Sequence, residues 1–274
     1  MVGRARSVLI DWHLLSLDGP TVAACWTWFI ARTNHLLLPW PNVMAMAAAV
    51  WLLYAGDRLL DVRRPDVSEM EERHHFHQRH QARFVAGIAI ASVILAVLLP
   101  MIPFPAVRLY LVMGGLVFGY FIVIHAMQRA HRLPKEIVVG VCFAAAVFIP
   151  TVARRPELRL ALLIPALLFA ALCSINCLFI YAWEHADGSS VQRPHPVTSM
   201  ALRHLRAVTV FVAVAAFVMA VVDRHAPWPI DLAIGLGAAA LLTLNARYRK
   251  GDRVALRAAA DLSLMTPLLL VAWL

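Results

Sequence analysis

The sequence has few charged residues, and this scarcity excludes an ordinary soluble domain. Only 15% of the 274 residues are charged and 61% are hydrophobic, whereas a typical soluble domain is about 25% charged and about 45–50% apolar. The apolar residues occur in runs long enough to span a bilayer. No linker is long enough to separate a soluble domain. The whole chain, 1–274, is therefore predicted to be a single transmembrane domain.

Cysteine is also scarce, and the four cysteines do not indicate a disulfide framework. Each lies inside an apolar run, and Cys173 and Cys177 are one helical turn apart, which favours small buried thiols. Their spacing matches no zinc-binding pattern. A cleaved signal peptide is not expected either, because Asp11 and His13 interrupt the first apolar run and no small-residue cleavage site follows.

Acidic residues are outnumbered by basic ones, 16 to 25, which gives a net charge of +9. The arginines lie in short segments between apolar runs, where orientation in a membrane explains them, so we expect no nucleic-acid partner. With a cytoplasmic N-terminus, the opposite side keeps only Arg32, Arg108, Arg154, Arg155, Arg159 and Arg224. The positive-inside rule therefore predicts a cytoplasmic N-terminus and an external C-terminus. We expect a bacterial inner membrane.

Proline, glycine and charged breaks divide the sequence into nine predicted membrane helices, which would form an all-α bundle. They are expected at 18–33, 41–62, 82–100, 106–128, 134–153, 157–184, 199–222, 228–246 and 255–273. The first opens at Asp18 with the helix-start pattern Asp-Gly-Pro. After the second helix, residues 63–80 form a polar connection on the predicted cytoplasmic side.

Acidic residues close two of these helices on that same side. WLLYAGDRLLD ends in Asp57 and Asp61, whose spacing places both carboxylates on one helix face. LFIYAWEHADG repeats the order with Glu184 and Asp187. Four carboxylates at a membrane boundary repel one another unless cations neutralise them, and their oxygens suit magnesium bridging to phosphate. Solvated helix-end charges are the alternative interpretation.

Nine helices with acidic motifs closing the second and the sixth resemble the UbiA superfamily of intramembrane prenyltransferases. The first motif of that family is N-x-x-x-D-x-x-x-D; Asp57 and Asp61 match its acids, and Leu53 stands at the Asn position. The second, D-x-x-x-D, is matched from Glu184 to Asp187, one residue shorter and beginning with Glu. The architecture covers essentially the whole chain, and the motifs match in part.

The resemblance implies an enzyme in which Mg²⁺, held by the four acidic residues, binds the diphosphate of a prenyl donor. Departure of the diphosphate leaves an allylic cation, which a lipid-soluble acceptor captures. Lys135 resembles the basic residue that the family presents to the diphosphate. Further substrate-binding candidates are Tyr54, Arg58, Arg64, Arg73, His74, His77, Arg79, Tyr181 and Asp261.

A histidine-rich run within 63–80, EMEERHHFHQRH, is not part of the family pattern. His74, His77 and His80 have helical metal-ligand spacing among themselves and with nearby glutamates, so a transition metal is one interpretation. Arg73 and Arg79 would repel a cation and favour a lid that grips the diphosphate over the acidic site. A solvated basic helix is the third alternative.

Two buried polar residues bear on the site. Asp261 lies inside the last predicted helix, and an intramembrane carboxylate is functional unless it is paired; we expect it beside the acidic site, paired with Lys135 or an arginine. Asn176, inside the sixth helix, is expected to make an interhelical hydrogen bond.

Three alternatives to prenyl transfer remain open. A UbiA-type terpene cyclase or a prenyl-diphosphate hydrolase would use the same acidic site without a separate acceptor. A non-catalytic membrane subunit or lipid binder could keep the fold after losing catalysis, which the missing Asn and the shortened second motif would permit. Membrane lipid is an expected partner in every case.

Overall fold

The computed structural model describes residues 2–62, 79–126, 134–185, 195–247 and 253–274, without the side chains of 2–7, 60–62, 118, 120–126 and 253. All regular structure in these ranges is helical. The α-helices are α1 (Val2–Leu14), α2 (Asp18–Thr33), α3 (Trp40–Val62), α4 (Gln81–Leu98), α5 (Phe104–Ala126), α6 (Lys135–Arg154), α7 (Leu163–Glu184), α8 (Pro196–Arg203), α9 (Leu205–Val222), α10 (Trp228–Ala246) and α11 (Arg253–Leu262). Short 3-10 helices are Leu99–Met101, Pro156–Arg159 and Thr266–Trp273.

Six helical segments in the described ranges are long and apolar enough to cross a membrane, which makes the chain an all-α membrane protein. They are Gln81–Met101, Lys135–Arg154, Leu163–Glu184, Leu205–Val222, Trp228–Ala246 and Val254–Trp273. The predicted count of nine spans is not confirmed. α2 has 16 residues, about 24 Å of helix, which is shorter than a hydrocarbon core of about 30 Å. α5 offers the shorter apolar segment Phe104–Val117, and α3 is not among the six.

Several helices differ from the sequence prediction. The predicted helix 157–184 is α-helical only from Leu163, after the 3-10 helix Pro156–Arg159. The residues before Asp18 form α1, which was not predicted. The predicted helix 199–222 is interrupted at His204, between α8 and α9. The predicted helix 255–273 is α-helical only to Leu262 and resumes as a 3-10 helix. Pro267 explains this last break, because its ring would clash with the carbonyl four residues earlier in a continuous α-helix.

The core is organised around α7, which packs against α6, α9, α10 and α11. Trp26 of α2 is fully buried, and its ring centroid lies 4.1 Å from that of Phe169 on α7. Gly140 of α6 approaches α7 so closely that an added Cβ would lie 2.3 Å from the Oγ of Ser174. A small residue at this position therefore permits close contact between the two helices.

One end of the bundle collects the ends of α1, α3 and α7 and the beginnings of α2, α6 and α11; we call it the motif end. α1 packs against α11, and α2 packs against α3 and α6. The ring of Tyr54 on α3 covers Gly19 of α2, where an added Cβ would be 2.6 Å from the ring. These contacts bring polar residues from several helices together at or just inside the motif end.

Candidate functional site

A histidine and an aspartate form the most deeply buried polar pair of the motif end. His13, near the end of α1, is 3% exposed, and Asp18, the first residue of α2, is 0% exposed. The Nδ1 of His13 lies 2.5 Å from Oδ2 of Asp18, while Oδ1 of Asp18 accepts a hydrogen bond of 2.9 Å from the Gly19 amide. Burial lowers the pKa of His13 below its ordinary value, although the hydrogen bond and charge of Asp18 act in the opposite direction.

This arrangement determines the tautomer of the imidazole. An ionised carboxylate can only accept a hydrogen bond, so Nδ1 of a neutral His13 carries the hydrogen and donates it to Asp18. Nε2 is then left with a lone pair. In the described structure Nε2 is buried and has no hydrogen-bond partner. His13 therefore presents a neutral nitrogen, oriented by a carboxylate, that could bind a ligand or accept a proton.

Asp261 of α11 joins this pair. Its Oδ2 lies 3.9 Å from Nδ1 of His13, and its Oδ1 accepts a 2.8 Å hydrogen bond from Nδ2 of Asn176 on α7. Asn176 thus makes the interhelical hydrogen bond expected from the sequence. We expected Asp261 to pair with Lys135 or an arginine; the contacts found for Asp261 are with His13 and Asn176, and Lys135 contacts Asp57. Asp261 lies deeper in the bundle, on the side of α1 and α7.

A nitrogen of His13 and one carboxylate oxygen each from Asp18 and Asp261 all lie within 4.8 Å of one another. We call His13, Asp18, Asp261 and Asn176 the buried cluster. In the part of the chain that the structure describes, the first three form the group of His, Cys, Asp and Glu side chains that could share a metal ion.

The first acidic motif contributes two neighbours to the buried cluster. Nη2 of Arg58 lies 4.0 Å from Oδ2 of Asp18. Tyr54, one turn earlier on α3, packs its ring against Gly19 beside Asp18. Both residues were substrate-binding candidates, and the structure places them next to Asp18, whose sequence pattern had indicated only a helix start.

Asp57 points to a different neighbour. Its Oδ2 lies 3.9 Å from Nζ of Lys135 at the start of α6, and both side chains are partly exposed, by 30% and 48%. The adjacent Glu136 accepts a 3.0 Å hydrogen bond from the hydroxyl of Thr198 on α8. The end of α3 and the beginnings of α6 and α8 therefore surround an open, charged region of the motif end.

Glu184, the first acid of the second motif, forms an ion pair with Arg257 of α11. The side chain of Arg257 is 5% exposed and that of Glu184 is 19% exposed, so this pair is largely buried. Tyr181, one turn earlier on α7, stacks on His185 with 4.0 Å between ring centroids. Glu184 is therefore engaged by a basic residue that the sequence analysis did not assign to the site.

Most of the other predicted site residues lie outside the described part of the structure. The segment expected to be a lid or a transition-metal site, 63–80, is described only at Arg79 and His80, which precede α4. The backbone of Asp61 is described but its side chain is not. The remaining candidates that fall outside are Arg64, Arg73, His74, His77 and Asp187.

Sequence reasoning missed His13 and Asp18 as site residues. The signal was present: a histidine interrupts an apolar run, and an aspartate opens the next apolar helix five residues later. Without α1, which the sequence did not predict, nothing placed the two side chains together.

Comparison with known proteins identifies no relative. No protein-family model, curated protein or solved structure matches the chain. The assignment of function therefore rests on the geometry of the motif end.

Proposed function

We propose that the chain is a UbiA-like intramembrane enzyme that acts on a prenyl diphosphate and transfers the prenyl group to a lipid-soluble acceptor. The observation that carries the proposal is the 3.9 Å approach of Lys135 to Asp57. These two residues, 78 positions apart in the sequence, are the acid and the base that the resemblance assigns to the diphosphate. Both remain partly exposed, as groups that receive a substrate must be.

One accessible cation of the motif end fits an anionic substrate. The side chain of Lys135 is 48% exposed. Arg58 and Arg257 are less accessible, since they face the buried carboxylate of Asp18 and that of Glu184. Cations at the membrane boundary attract a diphosphate and stabilise the charge that develops as it leaves. In the proposed orientation this end faces the cytoplasm, as the positive-inside rule requires.

Magnesium fits one of the two motifs in this arrangement. The carboxylate of Asp57 is accessible, and a hard oxygen ligand of this kind suits an ion that also contacts phosphate. Glu184 does not fit equally well, because its carboxylate is already paired with Arg257. Asp57 is therefore the residue we assign to magnesium, which would neutralise diphosphate charge when bound. Lys135, beside Asp57, positions the substrate.

The ion pair of Glu184 with Arg257 favours a second candidate function. A carboxylate held by a buried arginine is a structural contact, and a chain that has converted its second motif to such a contact can retain the fold without catalysis. This candidate is a membrane subunit or lipid binder. A terpene cyclase or a prenyl-diphosphate hydrolase would share the Asp57 site and differ only in its products.

The test is release of diphosphate from geranyl, farnesyl or geranylgeranyl diphosphate by the purified protein in detergent, with and without magnesium. We expect magnesium-dependent release by the wild type and a loss of about a hundredfold or more in Asp57→Asn, which removes charge and keeps shape. The matched control is Glu157→Gln, an exposed acid paired with Arg155 beyond the far end of α6, which should keep wild-type activity.

Product analysis separates the alternatives. A prenylated acceptor from membrane extract supports transfer, whereas a cyclic terpene or free prenol identifies the cyclase or the hydrolase. If no prenyl diphosphate is bound or cleaved at any donor length, the enzyme proposal fails. A lipid that co-purifies stoichiometrically with such an inactive protein would then support the binding function.

A further inference from the structure

We propose that the buried cluster is a binding site for a divalent transition-metal ion, separate from the diphosphate site. Its donors are His13, Asp18 and Asp261, with the amide oxygen of Asn176 as a further ligand. The proposal does not depend on prenyl chemistry and would hold for an enzyme or for a binding protein.

The first argument is the proximity of donors from three separate helices. A nitrogen of His13 and a carboxylate oxygen from each of Asp18 and Asp261 lie within 4.8 Å of one another. Two ligands on opposite sides of one ion are about 4.2 Å apart when each bond is about 2.1 Å. Nδ1 of His13 lies 2.5 Å from Oδ2 of Asp18 and 3.9 Å from Oδ2 of Asp261, so an ion that replaces the proton between His13 and Asp18 would lie among all three donors.

The second argument comes from a buried atom beside the three donors. Oδ1 of Asn176 lacks a hydrogen-bond partner in the described structure, and Asn176 is only 4% exposed. Nδ2 of the same amide donates to Asp261, so this oxygen lies next to the cluster. Buried polar atoms are normally satisfied, and an amide oxygen carries lone pairs that a metal can accept.

The third argument is the orientation of the two carboxylates. Carboxylates that bind a metal are usually held by hydrogen bonds from neighbouring groups. Oδ1 of Asp18 accepts one from the Gly19 amide, and Oδ1 of Asp261 accepts one from Nδ2 of Asn176. The other oxygen of each residue lies near Nδ1 of His13.

The charges around the buried cluster are compatible with a bound cation. Asp18, Asp261 and Glu184 carry three negative charges when ionised, and Arg58 and Arg257 carry two positive charges, so the group has a net charge of −1 when His13 is neutral. The donors are one imidazole with carboxylate and amide oxygens and no thiolate. This set suits Mn²⁺, Fe²⁺, Co²⁺ or Zn²⁺ rather than a soft ion such as Cu⁺.

The test measures binding of Co²⁺ and Zn²⁺ alone to the full chain in detergent, prepared with an affinity tag that contains no histidine. After loading and desalting, we expect one ion per chain by elemental analysis and a cobalt absorption band from a site with nitrogen and oxygen ligands. Asp261→Asn and His13→Gln should each weaken binding at least tenfold, because each removes a donor. Asp18→Asn should also weaken it at least tenfold, because it replaces a charged donor by a neutral amide.

Two controls identify the source of any bound metal. His225→Gln changes an exposed histidine, 87% exposed at its side chain, and should leave binding unchanged. Joint replacement of His74, His77 and His80 by Gln tests the histidine-rich segment. Loss of the ion in that variant, with retention in Asp261→Asn and His13→Gln, would overturn the proposal.

If the variants fail to fold, the metal site can still be tested on the wild type alone. X-ray absorption at the cobalt edge should show one imidazole with oxygen ligands. An all-oxygen shell, a shell of several imidazoles, or no ion retained at micromolar concentration would each overturn the proposal.

Discussion

Gly19→Ala tests whether the contact between α2 and α3 at the motif end is as close as the structure shows. A Cβ at this position would lie 2.6, 2.8 and 2.9 Å from three ring atoms of Tyr54, whereas ordinary contact begins at 3.4 Å. The ring must therefore retreat by the difference between 3.4 and 2.6 Å, about 0.8 Å. Overpacking of this kind costs about 1–3 kcal/mol.

The matched control is Gly56→Ala on α3, two residues from Tyr54. An added Cβ there meets nothing within 4 Å, so alanine should stabilise the helix by about 0.5–1 kcal/mol. The same helical gain applies in part to position 19 and reduces the expected net loss of Gly19→Ala to about 1–2 kcal/mol. The two variants should thus differ by about 2 kcal/mol in the free energy of unfolding.

The measurement is equilibrium unfolding in detergent micelles titrated with SDS and followed by circular dichroism. Tyr54→Leu should relieve the clash, so the double variant with Gly19→Ala should lose less stability than the sum of the single variants. If Gly19→Ala is as stable as Gly56→Ala, Tyr54 does not cover Gly19, and the placement of Tyr54 beside Asp18 is wrong.

Three further predictions use the same unfolding assay or a reporter. Thr266→Val removes the 2.7 Å hydrogen bond to the carbonyl of Ala233 and should cost about 0.6–1.5 kcal/mol of stability. The control Thr243→Val loses a hydrogen bond within its own exposed turn and should change stability by less than about 0.5 kcal/mol. Equal losses in the two variants would contradict the contact between Thr266 and Ala233. Glu184→Gln leaves the buried Arg257 without its carboxylate and should cost about 3 kcal/mol; a neutral effect would mean that the ion pair is absent. Alkaline phosphatase fused after Leu274 should be active, because the positive-inside rule places the C-terminus outside the cytoplasm. Activity of fusions in the loops predicted to be cytoplasmic, with none after Leu274, would mean that the topology is the reverse of the predicted one.

The sequence determined the class of the protein and the positions of most helices. Long apolar runs bounded by proline and charge fix where a chain can be helical in a membrane, because a backbone that cannot bond water must bond itself. The predicted segments 228–246 and 134–153 accordingly match α10 and α6 to within one residue. The number of spans does not follow from apolarity alone, because a helix such as α2 is apolar but has only 16 residues.

Charge and spacing also indicated which end of the bundle holds the polar contacts. Asp57, Lys135, Glu184 and Asp261 were all named from the sequence, and the structure gives each of them a polar partner at or just inside the motif end. Spacing within a helix fixes which residues share a face, but it does not say which face another helix covers. The partners therefore differed from expectation: Asp261 contacts Asn176 and His13, and Glu184 contacts Arg257.

Only the tertiary structure decided that His13 and Asp18 lie together with Asp261. His13 lies on α1, Asp18 begins α2, and Asp261 is more than 240 residues further along the chain. No local pattern links them, because their contact arises when α1 packs against α11. A buried histidine acquires its role from the carboxylates that other helices bring to it. The sequence supplied the donors, and the packing of α1, α2, α7 and α11 placed them within reach of one another.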